Sequence, residues 1–250
     1  MAAANIRASW FGLSAAEPAG LNAETGLSLD RSEAQGGVEP LPIPLTPPNT
    51  VFSAVKQVAL QVLGVGTTTI SNGTVRAAGA MPNGAAWFWQ ASATYLAQLS
   101  NFGALTTFAG AGTSTLISTV TFATNDLVQI DVGVLSELRL VVSVSGGGPY
   151  TLSIDRALAS SHAVAAQVAR FVSSGPADVL TEAAGNQPST PASYTRPTTT
   201  AVQYDVLGLA TTSLGRKGPF IRLVGGVATA YGNNPGVVTL PAMIIGYDEA

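Results

Sequence analysis

The sequence predicts a mainly β protein: an antiparallel β-sandwich of jelly-roll or immunoglobulin-like type, with an extended N-terminal arm and at most one short helix. Three observations carry this expectation. Short apolar runs alternate with polar residues at a period of two, and Asn-Gly, Pro-Asn-Gly and Gly-rich clusters punctuate them. Prolines crowd one N-terminal segment, where they forbid a central strand. Charged residues make up 10% of the 250 residues, against the roughly 25% usual in a soluble domain.

Taken in order, residues 1–36 scatter Ala, Gly, Ser and Glu without a sustained period of 2 or 3.6. Pro40, Pro42, Pro44, Pro47 and Pro48 then fix φ and remove five backbone donors, so this piece is extended and polyproline-like. Residues 1–48 are expected to form an arm that gains order by lying on another subunit, a free tail being the alternative. Residues 49–250 are expected to form the sandwich domain. Val58, Leu60 and Val62 alternate with Gln57, Ala59 and Gln61 as in a strand, although Val51, Val55, Val58 and Val62 also fit a helical stripe.

Asn72-Gly73 between two β-prone runs predicts a hairpin with a type I′ turn, because both residues tolerate positive φ. Pro82-Asn83-Gly84 repeats the device before Ala86-Trp87-Phe88-Trp89. Leu138, Leu140, Val142 and Val144 form a second alternating run, which Gly146-Gly147-Gly148-Pro149 turns into Tyr150–Ile154. Asp155 is placed to cap a helix over 157–173, with Val164, Val168, Phe171 and Val172 on one face and Gly175-Pro176 ending it. Residues 185–197 read as an irregular loop. Phe220–Val224 and Val237–Leu240 flank the turn signal Asn233-Asn234-Pro235-Gly236.

The composition weighs against several functions. A net charge of −3 with only Lys56 and Lys217 as lysines leaves no basic patch for phosphates, so no nucleic-acid partner is expected. With no cysteine, disulfides, thiol catalysis and Cys-ligated metals are excluded. No apolar run reaches the ~18 residues of a membrane helix, so no membrane partner is expected, and the first 16 residues lack the apolar core of a signal peptide. The one histidine, His162, stands in no recognisable triad, and no Gly-x-Ser-x-Gly elbow occurs. It is expected on a surface or helix face.

Gly64-Val65-Gly66 and Gly110-Ala111-Gly112 complete no nucleotide-binding fingerprint and read as turns. Gly215-Arg216-Lys217-Gly218 reads as a solvated hairpin turn, a carboxylate or phosphate contact being the lesser reading, and Asp248-Glu249 as a solvated end rather than a metal site. A carboxylate pair assembled only by the fold stays open. No enzyme activity, cofactor or metal is expected.

The informative feature is where charge is missing. Residues 77–125 form 49 positions without one charged side chain, and residues 223–247 another 25. The first run holds Trp87, Phe88, Trp89, Tyr95, Phe102, Phe108 and Phe122. A free sheet normally carries charge on its solvent face and edges, so such runs predict that both faces, or the edges, are covered. Interface cores lose charge and gain aromatics in the same way. Trp87, Phe88, Trp89, Tyr95 and Phe102, with Pro42 and Pro44 of the arm, are therefore the expected interface residues. A buried core segment is one alternative, and carbohydrate stacking on Trp87, Trp89 and Tyr95 is another.

The run Thr69-Ile70-Ser71-Asn72, Val75-Arg76, Gly84 and Trp87-Phe88 resembles structural proteins encoded among tailed-bacteriophage virion genes. So do Tyr204-Asp205, Gly215-Arg216 with Gly218 and Phe220, the 225–231 stretch, Thr239-Leu240-Pro241 and Tyr247-Asp248-Glu249. These are turn and strand residues spread over most of the chain, and no catalytic residue is carried over with them. The resemblance implies a non-enzymatic, β-rich subunit located in the virion, whose partners are itself and other virion proteins. Head decoration and tail or baseplate positions are both compatible with it. The alternative class is a carbohydrate- or host-surface-binding β-module.

Overall fold

The computed structural model describes residues 4–11, 17, 55–97, 99–131, 135–171, 182–183, 187–188, 190–191, 193–227 and 240–250. The fold is mainly β, with antiparallel sheets packed together. A four-stranded sheet runs in the order β1 (Asn5–Phe11), β2 (Lys56–Gly64), β14 (Phe220–Val227), β4 (Ala85–Ser92). A three-stranded sheet orders β13 (Val202–Ala210), β3 (Thr69–Ala77) and β15 (Met243–Glu249).

The two sheets face each other across one core. Val58, Trp87, Trp89, Ile221 and Leu223 come from the first, and Val75 and Ala77 with Tyr204, Met243 and Ile245 from the second. Leu60, Val62, Ile70 and Leu209 extend it. The four-stranded sheet is also covered on its other face. Val55, Ala86, Phe88 and Val224 cluster there with Leu96 and Tyr194, while Phe11, Ala59 and Phe220 cluster with Tyr95. Hence β2 is buried from Lys56 through Val62 and β4 from Ala85 through Trp89, without the polar alternation of a half-exposed strand.

The strands between β4 and β13 pair among themselves. β5 (Leu99–Ala104), β10 (Gln167–Phe171), β7 (Leu127–Ile130), β8 (Glu137–Ser145), β9 (Tyr150–Ile154) and β6 (Thr115–Ser118) form one sheet in that order. Its two edges meet. Leu105 bridges Ser118, Thr119 N donates to Ala104 O at 2.9 Å, and Thr106 N donates to Ile117 O at 2.8 Å. The sheet thus closes on itself, and the order β10-β7-β8-β9 is a Greek key. Its interior holds Leu105, Leu116, Val128, Ile130, Val141, Leu152, Ile154 and Val168, with every strand or its extension contributing. The segment expected to belong to a single sandwich therefore contains a sandwich and a small closed barrel over residues 99–171. β11 (Glu182–Ala183) and β12 (Gln187–Pro188) form a separate two-stranded ladder.

Five expectations need correction. Asn72-Gly73 does not turn a hairpin: both residues lie inside β3, at a bulge where Asn72 has φ 50° and the register shifts against β13 and β15. Gly73 is needed there because a Cβ would sit 2.6 Å from the Tyr204 ring. The helix over 157–173 does not form across its described residues 157–171. Instead, residues 162–166 are held in ladder contact with 105–109, and β10 follows. The turn expected at 215–218 lies at 211–215 and leads from β13 in one sheet towards β14 in the other, while 215–218 run in ladder contact with β2, so no hairpin results. Part of the N-terminal arm is a strand: β1 pairs with β2 of its own chain, with a register shift between Asn5 and Ile6. The β8–β9 hairpin forms as the sequence suggests, whereas Asn83-Gly84 turns the chain from β3 in one sheet to β4 in the other, so the hairpin expected there does not form. Pro42, Pro44 and the rest of the Pro-rich segment, like the 233–236 turn, lie outside the described residues.

Candidate functional site

β4 carries three of the expected interface residues, and it buries all of them. Trp87 and Phe88 are 0% exposed and Trp89 is 5% exposed. Alternation sends Trp87 and Trp89 into the core between the sheets, where Trp87 Nε1 donates to Pro241 O at 2.9 Å. Phe88 points to the opposite face, beneath the Arg196 guanidinium at 5.3 Å. The expectation that these three form an intermolecular surface is corrected: their partners are the chain's own strands and loops. Tyr95 is half-buried edge-on against Phe220, with ring centroids 5.7 Å apart. Phe102, on the edge of β5, is 45% exposed and is the one described member of the set open to a partner.

The largest concentration of charge lies inside the barrel and was not legible as a site. His162, expected on a surface, is 0% exposed. Its Nδ1 lies 3.1 Å from Asp131 Oδ2 and its Nε2 lies 3.2 Å from Glu137 Oε1. Both bonds form together only when both nitrogens carry protons, as in the imidazolium. Glu137 also pairs with the Arg139 guanidinium and accepts from Ala159 N at 3.0 Å and Ser160 N at 2.6 Å. Arg139, 0% exposed, donates further to Leu138 O at 2.7 Å and Ala157 O at 3.3 Å.

This geometry fixes chain segments and offers little to a substrate. The four donors to Glu137 occupy the acceptor sites of a carboxylate, leaving it no lone pair for a general-base role. Ser161 Oγ, the neighbouring hydroxyl, accepts from Ala111 N at 3.0 Å. No group of three or more His, Cys, Asp or Glu among the described residues could hold a metal ion. The cluster instead ties β8 and the residue after β7 to the 157–162 segment.

What that segment presents is apolar. Ala109 and His162 exchange backbone bonds, Ala109 N to His162 O at 3.1 Å and His162 N to Ala109 O at 2.8 Å. Leu105 and residues 165–166 continue the ladder. On its two arms stand Phe108, 65% exposed, and Val164, 58% exposed. The buried ions thus anchor a rim of the barrel that carries bare apolar side chains.

A second surface feature is the docking of β1. Phe11, 1% exposed, meets the Phe220 ring edge-on at 5.1 Å, over Ala59. At the other end, Ala4 N donates to Glu249 Oε1 at 3.0 Å, and the Thr68 hydroxyl donates to the same oxygen at 2.7 Å. These two bonds, the Thr68 hydroxyl first, hold the Glu249 carboxyl below the ordinary carboxylate range. The Glu249 side chain, expected in a merely solvated end, therefore clasps the start of the N-terminal strand. Lys217 stacks 4.3 Å over Phe220 and pairs with Glu17 at 2.8 Å, the carboxylate contact that is the lesser reading of the basic pair.

Comparison with protein-family models, with known proteins and with solved structures returned no match.

Proposed function

We propose that this chain is a non-enzymatic structural subunit of a tailed-phage particle, either a head decoration or a tail or baseplate component. In this reading it assembles with copies of itself and with other virion proteins. One observation carries the assembly reading most directly: charge is withdrawn from the surface while large apolar side chains stand on it. Lys56, Glu137 and Arg139 are buried, although the chain has only 25 Asp, Glu, Lys and Arg residues to distribute. Phe108, Val164, Val206, Leu214 and Val142 are each more than half exposed. A free monomer normally keeps the opposite arrangement for solubility. The phage assignment rests on the sequence resemblance, and the internal salt cluster serves it by fixing the apolar rim.

The carbohydrate-binding alternative loses its platforms, because Trp87 and Trp89 are sealed inside the sandwich and Tyr95 packs on Phe220. The test is a Phe108→Asp/Val164→Asp double variant of the full chain, followed by light scattering and thermal unfolding. Both side chains are exposed, so stability is expected to hold within about 0.5 kcal/mol per site while self-association is lost. Unchanged association would overturn the role given to the rim.

A further inference from the structure

We infer that Arg222, with Gln90 and Tyr194, forms a binding site for a carboxylate, supplied by a neighbouring protein or by a small acid. The inference stands apart from the assembly reading above. Arg222 is the one charged side chain of β14, and β4 beside it has none. In register it lies between Gln57 of β2 and Gln90 of β4. Ile221 and Leu223 on either side of it face the core between the sheets, so alternation puts Arg222 on the opposite face. Two loops wall that position, and both are held in place. Gln57, 0% exposed, bonds Leu96 in both directions, Nε2 to Leu96 O at 2.9 Å and Leu96 N to Oε1 at 2.7 Å. On the other side, Thr195 N donates to Trp89 O at 2.7 Å and Trp89 N to Thr195 O at 3.0 Å, which holds residues 194–196 along β4.

The groups that meet there are donors, and no carboxylate answers them. Arg222 is half-buried, and among the described residues its guanidinium makes one hydrogen bond, from Nη2 to Thr94 O at 2.9 Å, and no ion pair. Its Nε is buried without an acceptor. The Gln90 amide and the Tyr194 hydroxyl likewise have no hydrogen-bond partner among the described residues. Burial raises the Tyr194 phenol above its ordinary value, so it keeps its proton at neutral pH, and burial lowers Arg222 and Arg196. Arg196, 5.3 Å over the Phe88 ring, brings a second positive charge, because Phe88 is the diagonal neighbour of Arg222 across the β4–β14 pair. A cation taken partly out of water without a counter-ion is costly. A carboxylate, which only accepts and can take a guanidinium through both oxygens, is the chemistry that completes this set.

The test is an acetate titration of the isotope-labelled full chain, with chloride as the control at constant ionic strength, followed by two-dimensional amide NMR. Saturable shifts are expected at Gln90, Thr94 and residues 194–196, and they should vanish in Arg222→Gln. Because that variant also loses the Thr94 bond, Gln90→Glu is the companion. It faces Arg222 with Cβ atoms about 4.5–5.5 Å apart and supplies the carboxylate from the chain itself. It should raise the unfolding midpoint and abolish the acetate shifts. Light scattering of the same samples names the source. A mass that falls as acetate saturates supports a neighbour's carboxylate, and saturable shifts at constant mass support a small acid. Shifts that persist in Arg222→Gln, or a lower midpoint in Gln90→Glu with the shifts intact, would overturn the site. So would the absence of saturable shifts in the parent together with an unchanged mass in Arg222→Gln.

Discussion

Replacing Glu137 with Gln tests whether the buried ions hold the barrel rim. The carboxylate takes four donors, from Arg139, His162, Ala159 N and Ser160 N, at a position 2% exposed. The amide has the same shape but one acceptor oxygen, and its NH2 group must face donors at the other position. Arg139, 0% exposed, is left without its carboxylate. Removing one partner of a buried pair costs about 3–5 kcal/mol, because the remaining charge has been taken out of water. For a unit of 60–100 residues, a loss of 3 kcal/mol lowers the midpoint by about 12–24 °C.

Trp10, Trp87 and Trp89 all lie outside residues 99–171, so tryptophan fluorescence follows the sandwich and misses the barrel. Peptide-resolved hydrogen exchange on the full chain is the suitable assay. Protection should fall across residues 99–171, most at 157–166, with little change in β2 and β4. A triple Glu137→Leu/Arg139→Met/His162→Leu variant should be less damaged than Glu137→Gln, since no buried charge is then stranded beyond Asp131, whose side chain is 16% exposed. Protection in Glu137→Gln indistinguishable from the parent, or a triple variant worse than the single one, would mean that the buried ions do not hold the rim.

Other consequences are open to measurement. Phe11→Ala empties the pocket against Phe220 and should cost about 3–5 kcal/mol; denaturant unfolding followed by tryptophan fluorescence reads it, and a loss below about 1 kcal/mol would count against a packed anchor. Gly103→Val should open the barrel seam, because even a Cβ there stands 2.3 Å from a Val120 methyl. Exchange should rise at residues 104–106 and 117–119, and an unchanged seam would contradict the closure described. The Glu249 carboxyl titrates below the ordinary carboxylate range in the folded chain. Its contribution is therefore complete above the unfolded value and is lost as pH falls through the lowered folded value. Amides at the start of β1 should lose protection in acid before those near Phe11, and Glu249→Gln should remove that pH dependence.

What the sequence revealed depended on whether a feature was local. The Gly146–Pro149 turn acts over a few residues and makes its hairpin, whereas Asn83-Gly84 turns the chain between two sheets. The alternation read over Leu138–Val144 breaks at a register shift that buries Val141 and exposes Val142. The charge-free run before Asp126 correctly signals burial of β4 on both faces, but composition carries no information on whether the cover comes from the same chain. Asn72-Gly73 fails as a hairpin because β3 is flanked by β13 and β15, so positive φ is absorbed as a bulge in a central strand. The residue 157–173 stripe fails because pairing with residues 105–109 outweighs a weak helical preference. The ion cluster joins positions 131, 137, 139 and 162, a spacing that belongs to no motif. Its one local trace is Glu137-Leu138-Arg139, opposite charges two apart on one face of a strand in a chain that spends charge sparingly.

If neighbours cover this surface, as proposed, the solution mass of the unmodified full-length protein reveals it. Size-exclusion chromatography with light scattering, over a concentration series at moderate salt, should give a closed oligomer of fixed copy number. A soluble monomer that persists across the series would contradict the account.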